Sequence, residues 1–387
     1  MGYVAQEIRS EEEFAAIRDE WQDLLAASSS NTIFLTWEWL FEWWRSYGGG
    51  RALRGLLIRD DAGRPAAGAL LMADTVRIPL AGRVRALRFV GDGSFDSDYL
   101  DIVCRAGEEA GALRVLFDCL DAARDWSVLF LNEIPADSAC LPGIAAECER
   151  RGYAVSQVRC PCAWTPLPAE WDAFLAMLKP RFRTKVRSLL RSLGEGGGEA
   201  LQYCRDASEL DEWLETLFDL HTRRWRALGQ DGVFGNPGKR EFYRRMARRF
   251  LERGWLQFSR LRIDGRVVAM QFCFEYANRI FLLQEGFDPD CDARDAGNTL
   301  RALVFADNIR RGVSAYDFLG GVSAHKLNWA ARVKESVRLT ITRPTTGGRA
   351  YRLVTGGGEA CRRVVRAVVP DSLIRMGKRL LRREAGA

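Results

Sequence analysis

The sequence lacks any apolar run approaching the roughly 20 residues that a helix needs to cross a bilayer, so no membrane span is expected. Its first stretch, MGYVAQEIRSEEEF, has neither the basic nor the apolar section of a secretory signal. The expected location is therefore the cytoplasm. Histidine is scarce, with two in 387 residues. The ten cysteines are scattered, and the one close pair, Cys160 and Cys162, encloses a single proline instead of the two residues of a zinc knuckle. No metal site is expected, and the thiols read as reduced, small apolar packing groups. The chain also lacks a G-x-S-x-G elbow and a papain-like cysteine signature, so nothing points to a covalent acyl-enzyme.

What is present suits a packed protein of about two domains. Hydrophobic residues make up 47% of the chain, and there are twelve tryptophans. The net charge of +6 is unevenly placed: from Arg343 to Ala387 eleven Lys/Arg face three Asp/Glu, so this tail carries +8 and the rest of the chain −2. The tail alternates basic and apolar residues around Pro370, a pattern that can lie on anionic lipid or on the protein's own surface.

Two distant stretches read alike. LRGLLIRDDAGRPAAGALLMADTVRI (Leu53 to Ile78) and LQFSRLRIDGRVVAMQFCFEYANRIFLL (Leu256 to Leu283) each place an Asp/Gly/Arg turn between apolar runs, the pattern of a hairpin. In both halves a further strand, an acidic loop, a helix and a strand follow. The helices are expected near 108–123 and 299–311, and the closing strands at Ser127 to Asn132 and in AYDFLGG. The order of elements indicates an internal duplication of one α/β unit. Three prolines in RCPCAWTPLPAEWDAF argue against regular structure there, so a boundary is expected near Pro166. The expected units are 1–165, 166–342 and the tail 343–387. Helices are expected in AEWDAFLAMLK, in the basic RFRTKVRSLLRSL and from Ser208 to Leu228. In SSSNTIFLTWEWLFEWWRSY, Trp37, Leu40, Phe41 and Trp44 share one helical face, with Asn31 or Thr36 as cap. That helix is either a buried anchor of the first half or an aromatic wall of a cleft.

The segments FLTWEWLFEWW, PRFRTKVRSLLRSL, HTRRW, LRIDGRVVAMQF, LLQEGFDP and AYDFLGGVSAHKLNWA resemble the CelD-like GNAT acetyltransferases linked to exopolysaccharide and cellulose gene clusters. These are similar in turn to the FemABX aminoacyltransferases, which carry a tandem GNAT fold. The resemblance spans about residues 30 to 342. It implies an α/β (α+β) fold class with two GNAT-like folds, each a mixed, mostly antiparallel sheet flanked by helices. One departure is visible: where the family usually has GDExYK, this chain reads GGVSAHK.

The implied chemistry is direct acyl transfer from acetyl-CoA or another acyl-CoA to an amine or hydroxyl. It needs donors for phosphates, a polarised carbonyl and a route for the nucleophile's proton. Gly297, Asn298 and Thr299 open a helix, whose exposed N–H groups favour an anion, and Arg294 and Arg301 can add charge. In GNAT proteins the CoA pyrophosphate sits at this place. His221 and His325 can transfer protons near neutral pH. Lys326, in a loop after a strand, can polarise a carbonyl or hold an anion, or can be a solvated surface lysine. Glu285 and Asp317 interrupt apolar strands, so each is either a buried ion-pair partner or an acid/base group. Gln271 is a similar polar intrusion and, with Trp225, His325 and Trp329, is a candidate for substrate binding. Asp92, Asp96, Asp98 and Tyr99 of the first half can border an acceptor cleft.

Three functions follow. The first is an acyl-CoA-dependent transferase acting on a small molecule or glycan precursor. The second is an aminoacyltransferase using tRNA, for which the basic helix can track phosphates. The third is a catalytically silent scaffold. The absence of a long heptad stretch favours CoA over tRNA.

Overall fold

The computed structural model describes residues 2–78, 82–194, 200–227, 229–230, 232–290 and 295–356. Arg294 and the tail beyond residue 356 lie outside the described residues. The chain opens with β1 (Tyr3–Ile8), α1 (Glu11–Ala16), α2 (Arg18–Ala26) and α3 (Trp37–Tyr47). Ser10 and Glu13 form a capping box on α1. The Thr36 hydroxyl caps α3 by accepting from the Trp39 N–H. Trp37, Trp39, Leu40, Phe41 and Trp43 are buried, so α3 is the anchor of the first half.

Next come β2 (Gly55–Asp60), β3 (Pro65–Ala69), β4 (Leu71–Ile78), β5 (Gly82–Phe89), β6 (Val103–Cys104), α4 (Glu109–Ala123), β7 (Val128–Pro135), α5 (Cys140–Arg150) and β8 (Ala154–Pro166). The later part has α6 (Trp171–Met177), α7 (Pro180–Ser192), β9 (Leu201–Tyr203), α8 (Leu210–Ala227), α9 (Pro237–Glu252), β10 (Leu256–Ile263), β11 (Arg266–Tyr276), β12 (Arg279–Phe287), α10 (Ala296–Arg310), β13 (Ala315–Gly320), α11 (Ala324–Asn328) and β14 (Arg332–Thr342). Both expected hairpins form, β2–β3 and β10–β11. The second turns through Asp264 at φ 51° and Gly265 at φ 77°, left-handed geometry that Gly adopts freely and Asp tolerates.

Among the described residues the strands form two sheets, β1-β2-β3-β6 and β4-β5-β7-β14-β8-β13-β12-β11-β10-β9. The duplication shows in the second. In the first half β5 and β7 pair in parallel at three positions, Ala86 with Val128 to Arg88 with Phe130, with α4 between them in sequence. In the second half β12 and β13 do the same, Arg279 with Ala315 to Phe281 with Asp317, around α10. The chain's last strand, β14, lies between β7 and β8 and pairs with both. One sheet thus runs unbroken across the place where a boundary was expected.

The proline-rich stretch was expected to be irregular, and the structure corrects this. β8 runs straight through Pro161, which pairs with Glu335 of β14. Pro161 accepts from the Gly321 N–H at 2.9 Å, and the β13 ladder begins only at Cys162. Its missing N–H therefore leaves no gap in that ladder. α10 is buried on most of its sides, from Ala296 to Ile309. Its apolar character all round reflects packing between the sheet and α6/α7 rather than a surface position.

Candidate functional site

The site follows from a divergence of strands. β12 and β13 pair only as far as Phe281 and Asp317. β12 then continues to Phe287 bonded to β11, and its register shifts so that Leu283 is an extra residue facing the Phe272–Cys273 step. Such a bulge bends and twists a strand. β13 instead stays with β8 as far as Gly320, with Leu319 at φ 61°. A notch opens between the two strands at their C-terminal ends, where facing backbone groups have no partner strand. In open α/β sheets ligands bind at this end. The first turn of α10 sits over the end of β12, because a Cβ on Gly297 would lie 3.4 Å from the Phe287 ring.

A charged cluster lines the notch. Arg301 of α10, 1% exposed, donates from Nη2 to Glu285 of β12. Its Nη1 lies 2.9 Å from His325 Nε2. Arginine can only donate, so this ring nitrogen accepts. The guanidinium also lies over Phe318 at 5.2 Å and Trp329 at 5.9 Å. Arg224 at the end of α8 approaches Glu285 at 3.6 Å and stacks on Phe287 at 4.3 Å. Burial alone would raise the Glu285 pKa, but Arg301 and Arg224 outweigh it and hold the carboxyl below its ordinary range. Glu285 is thus ionised at neutral pH and keeps partial access, with a side chain 22% exposed. Partial burial and then Arg301 push His325 down to about 4, so its ring is neutral at pH 7.

Other expected site residues are placed differently. Asn298 does not face an incoming anion: its Nδ2 donates to Asp295 at 2.8 Å and its Oδ1 accepts from Trp329 Nε1 at 3.1 Å. Asp295 at the N-cap is also paired with Lys185 of α7 at 2.5 Å. Burial raises the Asp295 pKa, but Asn298 and Lys185 more than reverse this. The helix head therefore carries a carboxylate of its own. Gly297 is the half-buried residue of the expected trio, while Thr299 is 1% exposed and inside the helix ladder through Asp295. Trp329 is fully buried and stacks with Phe174; it is core and not a substrate contact.

His221 is also enclosed. It is 2% exposed, its Nε2 accepts from Trp225 Nε1 at 2.8 Å, and its Nδ1 is buried with no hydrogen-bond partner among the described residues. Burial, then Arg224 and Lys239, push its pKa down to about 4. The accepting lone pair is used within the helix, so His221 and Trp225 form a packing pair and not an open base. A Cβ at Gly286 would stand 2.9 Å from the His221 backbone N; only glycine lets α8 approach β12 this closely.

Lys326 is a clamp. Its ammonium donates to the carbonyls of Phe318 (2.8 Å), Gly320 (2.8 Å) and Gly321 (2.9 Å), which uses all three donors. Asp317 is 2% exposed. It accepts from Tyr99 Oη at 3.0 Å and the Leu319 N–H at 2.8 Å, and pairs with Lys334 at 2.7 Å. It is a structural partner that joins the two halves. Gln271 stands directly opposite Glu285 across β11 and β12. Its Oε1 accepts from Tyr316 at 3.1 Å, and its Nε2 is buried without a partner among the described residues. It supports the floor of the notch.

Sequence reasoning missed Arg224 and the pairing of Arg301 with Glu285. The signal was present in AGNTLRALVF, where one charge in a buried apolar helix demands a partner. It also missed how the acidic loop of the first half reaches the notch. Asp98 lies beside Gly320, where burial, then Glu133 and Asp317, push its pKa up to about 7. An open cavity of about 600 Å³ lies elsewhere, between Ala154–Ser156, Thr340, Thr342 and residues 349–356. Its lining has no cluster of acid/base groups, so the chemistry points to the notch.

Residues 180–327 match the family described as acetyltransferase (GNAT) domain. A search of curated proteins finds no match to the chain. Among solved structures, FemX is similar with a TM-score of 0.60 and 12% identity, over 91% of this chain and 99% of that one. A conserved protein of unknown function from Bacteroides thetaiotaomicron VPI-5482 is similar with a TM-score of 0.54 and 14% identity, over 87% of this chain and 100% of that one. The notch, with Arg301 and Glu285 in it, falls within the matched segment. The chain thus has a mixed α/β, tandem GNAT-like fold, similar to that of FemX, and its residues 180–327 match the GNAT acetyltransferase domain model.

Proposed function

We propose that this protein moves an acyl group, in the simplest case acetyl, from acyl-CoA to an amine or hydroxyl acceptor. The observation that carries the reading is the notch between β12 and β13, with an ionised Glu285 held by Arg301 and Arg224 beside it. In this reading the amide-rich arm of the donor adds to the unpaired edges of β12 and β13 as an extra strand would. The donor's phosphates lie towards the half-buried Gly297 at the head of α10, where Lys185 would exchange Asp295 for the phosphate. Glu285 takes the nucleophile's proton, directly or through a water. Arg301, fixed by His325 and the Phe318 ring, orients the carboxylate. Lys326 keeps the end of β13 in place. A role in exopolysaccharide biosynthesis, with a glycan precursor as acceptor and a cytoplasmic site of action, belongs to the same proposal and rests on the sequence resemblance. So does a place for Arg294 among the phosphate contacts.

One observation favours a second reading, aminoacyl transfer from tRNA. On α9 each basic residue from Lys239 to Arg249 has a carboxylate partner. On α7, Lys185 is paired with Asp295, whereas Arg181, Arg183, Arg187 and Arg191 have no carboxylate within 4.0 Å among the described residues. An unneutralised basic face of this length suits a phosphate backbone.

Thermal melting with CoA, acetyl-CoA or bulk tRNA separates the readings. A ligand at 100 times its Kd adds about 2.7 kcal/mol to the native state, which raises Tm by about 3 °C for a chain of this length. The acyl-CoA reading expects that rise with CoA and acetyl-CoA. A salt-sensitive rise with tRNA alone would replace it with the second reading. No rise with any of the three would leave a scaffold.

A further inference from the structure

After β14 the chain turns into a last described helix, α12 (346–356). Its start lies close against the sheet. A Cβ on Gly347 would stand 2.9 Å from Ser127 Oγ, so only glycine allows this approach. One turn on, Tyr351 meets the Phe130 ring of β7 at 6.0 Å between centroids. The rest of the helix stands off. The open cavity of about 600 Å³ separates residues 349–356 from Ala154 and Ser156 of β8 and Thr340 and Thr342 of β14.

The outward side of α12 is apolar and positive. Arg349, Arg352, Leu353 and Gly356 recur at helical spacing and all are exposed. Leu353 is 78% exposed, and Val354 beside it is exposed as well. Across the cavity Val155 is exposed, and Val158, on the same side of β8 as Ser156, is 52% exposed. Four of the ten large apolar side chains that the described residues expose therefore gather at this corner, which marks a contact surface and not the usual scatter.

The charge at the corner is uncompensated. Nearby arginines are neutralised: Arg159 by Glu335, Arg338 by Glu133 and Arg343 by Asp121. Arg349 and Arg352 have no carboxylate within 4.0 Å among the described residues, and no carboxylate lines the cavity. The helix also opens the part of the chain, from Arg343 onward, that carries the excess positive charge.

We propose that this corner docks on an anionic phospholipid bilayer, with Leu353 and Val354 entering the headgroup layer and Arg349 and Arg352 on the lipid phosphates. Such a surface complements both features at once. A second copy of the chain would bring the same arginines against these, and like charges repel. A nucleic acid would neutralise the arginines but leave Leu353 and Val354 in water. The proposal does not depend on which acyl donor the notch takes.

The test is co-sedimentation of the full chain with vesicles of phosphatidylcholine mixed with phosphatidylserine, and with vesicles of phosphatidylcholine alone. The variants are Leu353→Gln, Leu353→Trp and the double variant Arg349→Gln with Arg352→Gln. These side chains are exposed, so all variants should melt at the wild-type temperature. The wild type should sediment with the anionic vesicles only, and less as salt rises. Binding should weaken about tenfold in Leu353→Gln and about 30-fold in the arginine double variant, and should be kept or strengthened in Leu353→Trp. No sedimentation of the wild type with anionic vesicles, or equal sedimentation with phosphatidylcholine alone, would overturn the proposal. So would undiminished binding by Leu353→Gln or by the double variant, which would place the lipid contact outside this corner. A concentration-dependent dimer formed without lipid and broken by Leu353→Gln would assign the corner to a second copy and overturn it as well.

Discussion

Acidification should destabilise this protein through His221, and the size of the effect follows from its surroundings. The ring is 2% exposed, and burial with Arg224 and Lys239 lowers its pKa to about 4. In the unfolded chain an imidazole titrates near 6.5. Between these values the unfolded chain binds a proton that the folded protein does not, so stability falls as pH is lowered through the window from 6.5 to 4. From pH 7 to pH 5 this one group should remove about 2 kcal/mol. His221→Gln keeps an oxygen to accept from Trp225 Nε1 and does not titrate. Urea unfolding of both proteins at pH 7 and pH 5 isolates the ring, because all other titrating groups are shared. The wild type should lose about 2 kcal/mol more than the variant. Equal losses would mean that His221 titrates freely in the folded state, and the enclosed packing role would be wrong.

Arg301→Met leaves Glu285 without its main partner; breaking such a buried pair costs about 3–5 kcal/mol, and urea midpoints should show it. Because Glu285 is held ionised by Arg301, its contribution is present above the ordinary carboxyl range and lost as pH falls, so the variant's deficit should shrink towards pH 4. Lys326→Met strips three carbonyls at the end of β13 of their donor and should cost about 1–3 kcal/mol; unchanged stability would contradict the clamp. Trp329→Phe keeps the ring stack and loses the bond to Asn298, for about 1 kcal/mol, readable in the same assay.

Local signals in the sequence were strong where one rule governs one element. The Asp264–Gly265 turn and the cap of α3, narrowed to Asn31 or Thr36, each have a single physical cause, and each was legible. The insertion of β14 between β7 and β8 was not, because strand order depends on contacts far apart in sequence. Pro161 misled for a related reason: whether a strand tolerates proline depends on which neighbour uses that N–H. At the site, polar residues in apolar runs were found readily, and Glu285, Asp317, Gln271 and Asn298 all proved to be buried or half-buried. What a residue list does not contain is the partner. Asp317 faces Lys334 and Tyr99, Asn298 faces Trp329, and Lys326 faces backbone carbonyls, whereas Glu285 faces Arg301 and a notch. Chemical type nominated these residues equally; geometry separated them.

The central claim is that a donor occupies the gap where β12 leaves β13, with its phosphates at the head of α10. Amide hydrogen exchange with and without CoA reads this directly. The account predicts slowed exchange in residues 282–287 of β12 and 296–300 of α10, with little change elsewhere. Unchanged exchange in those two segments, or protection confined to the cavity beside 154–156 and 349–356, would contradict it.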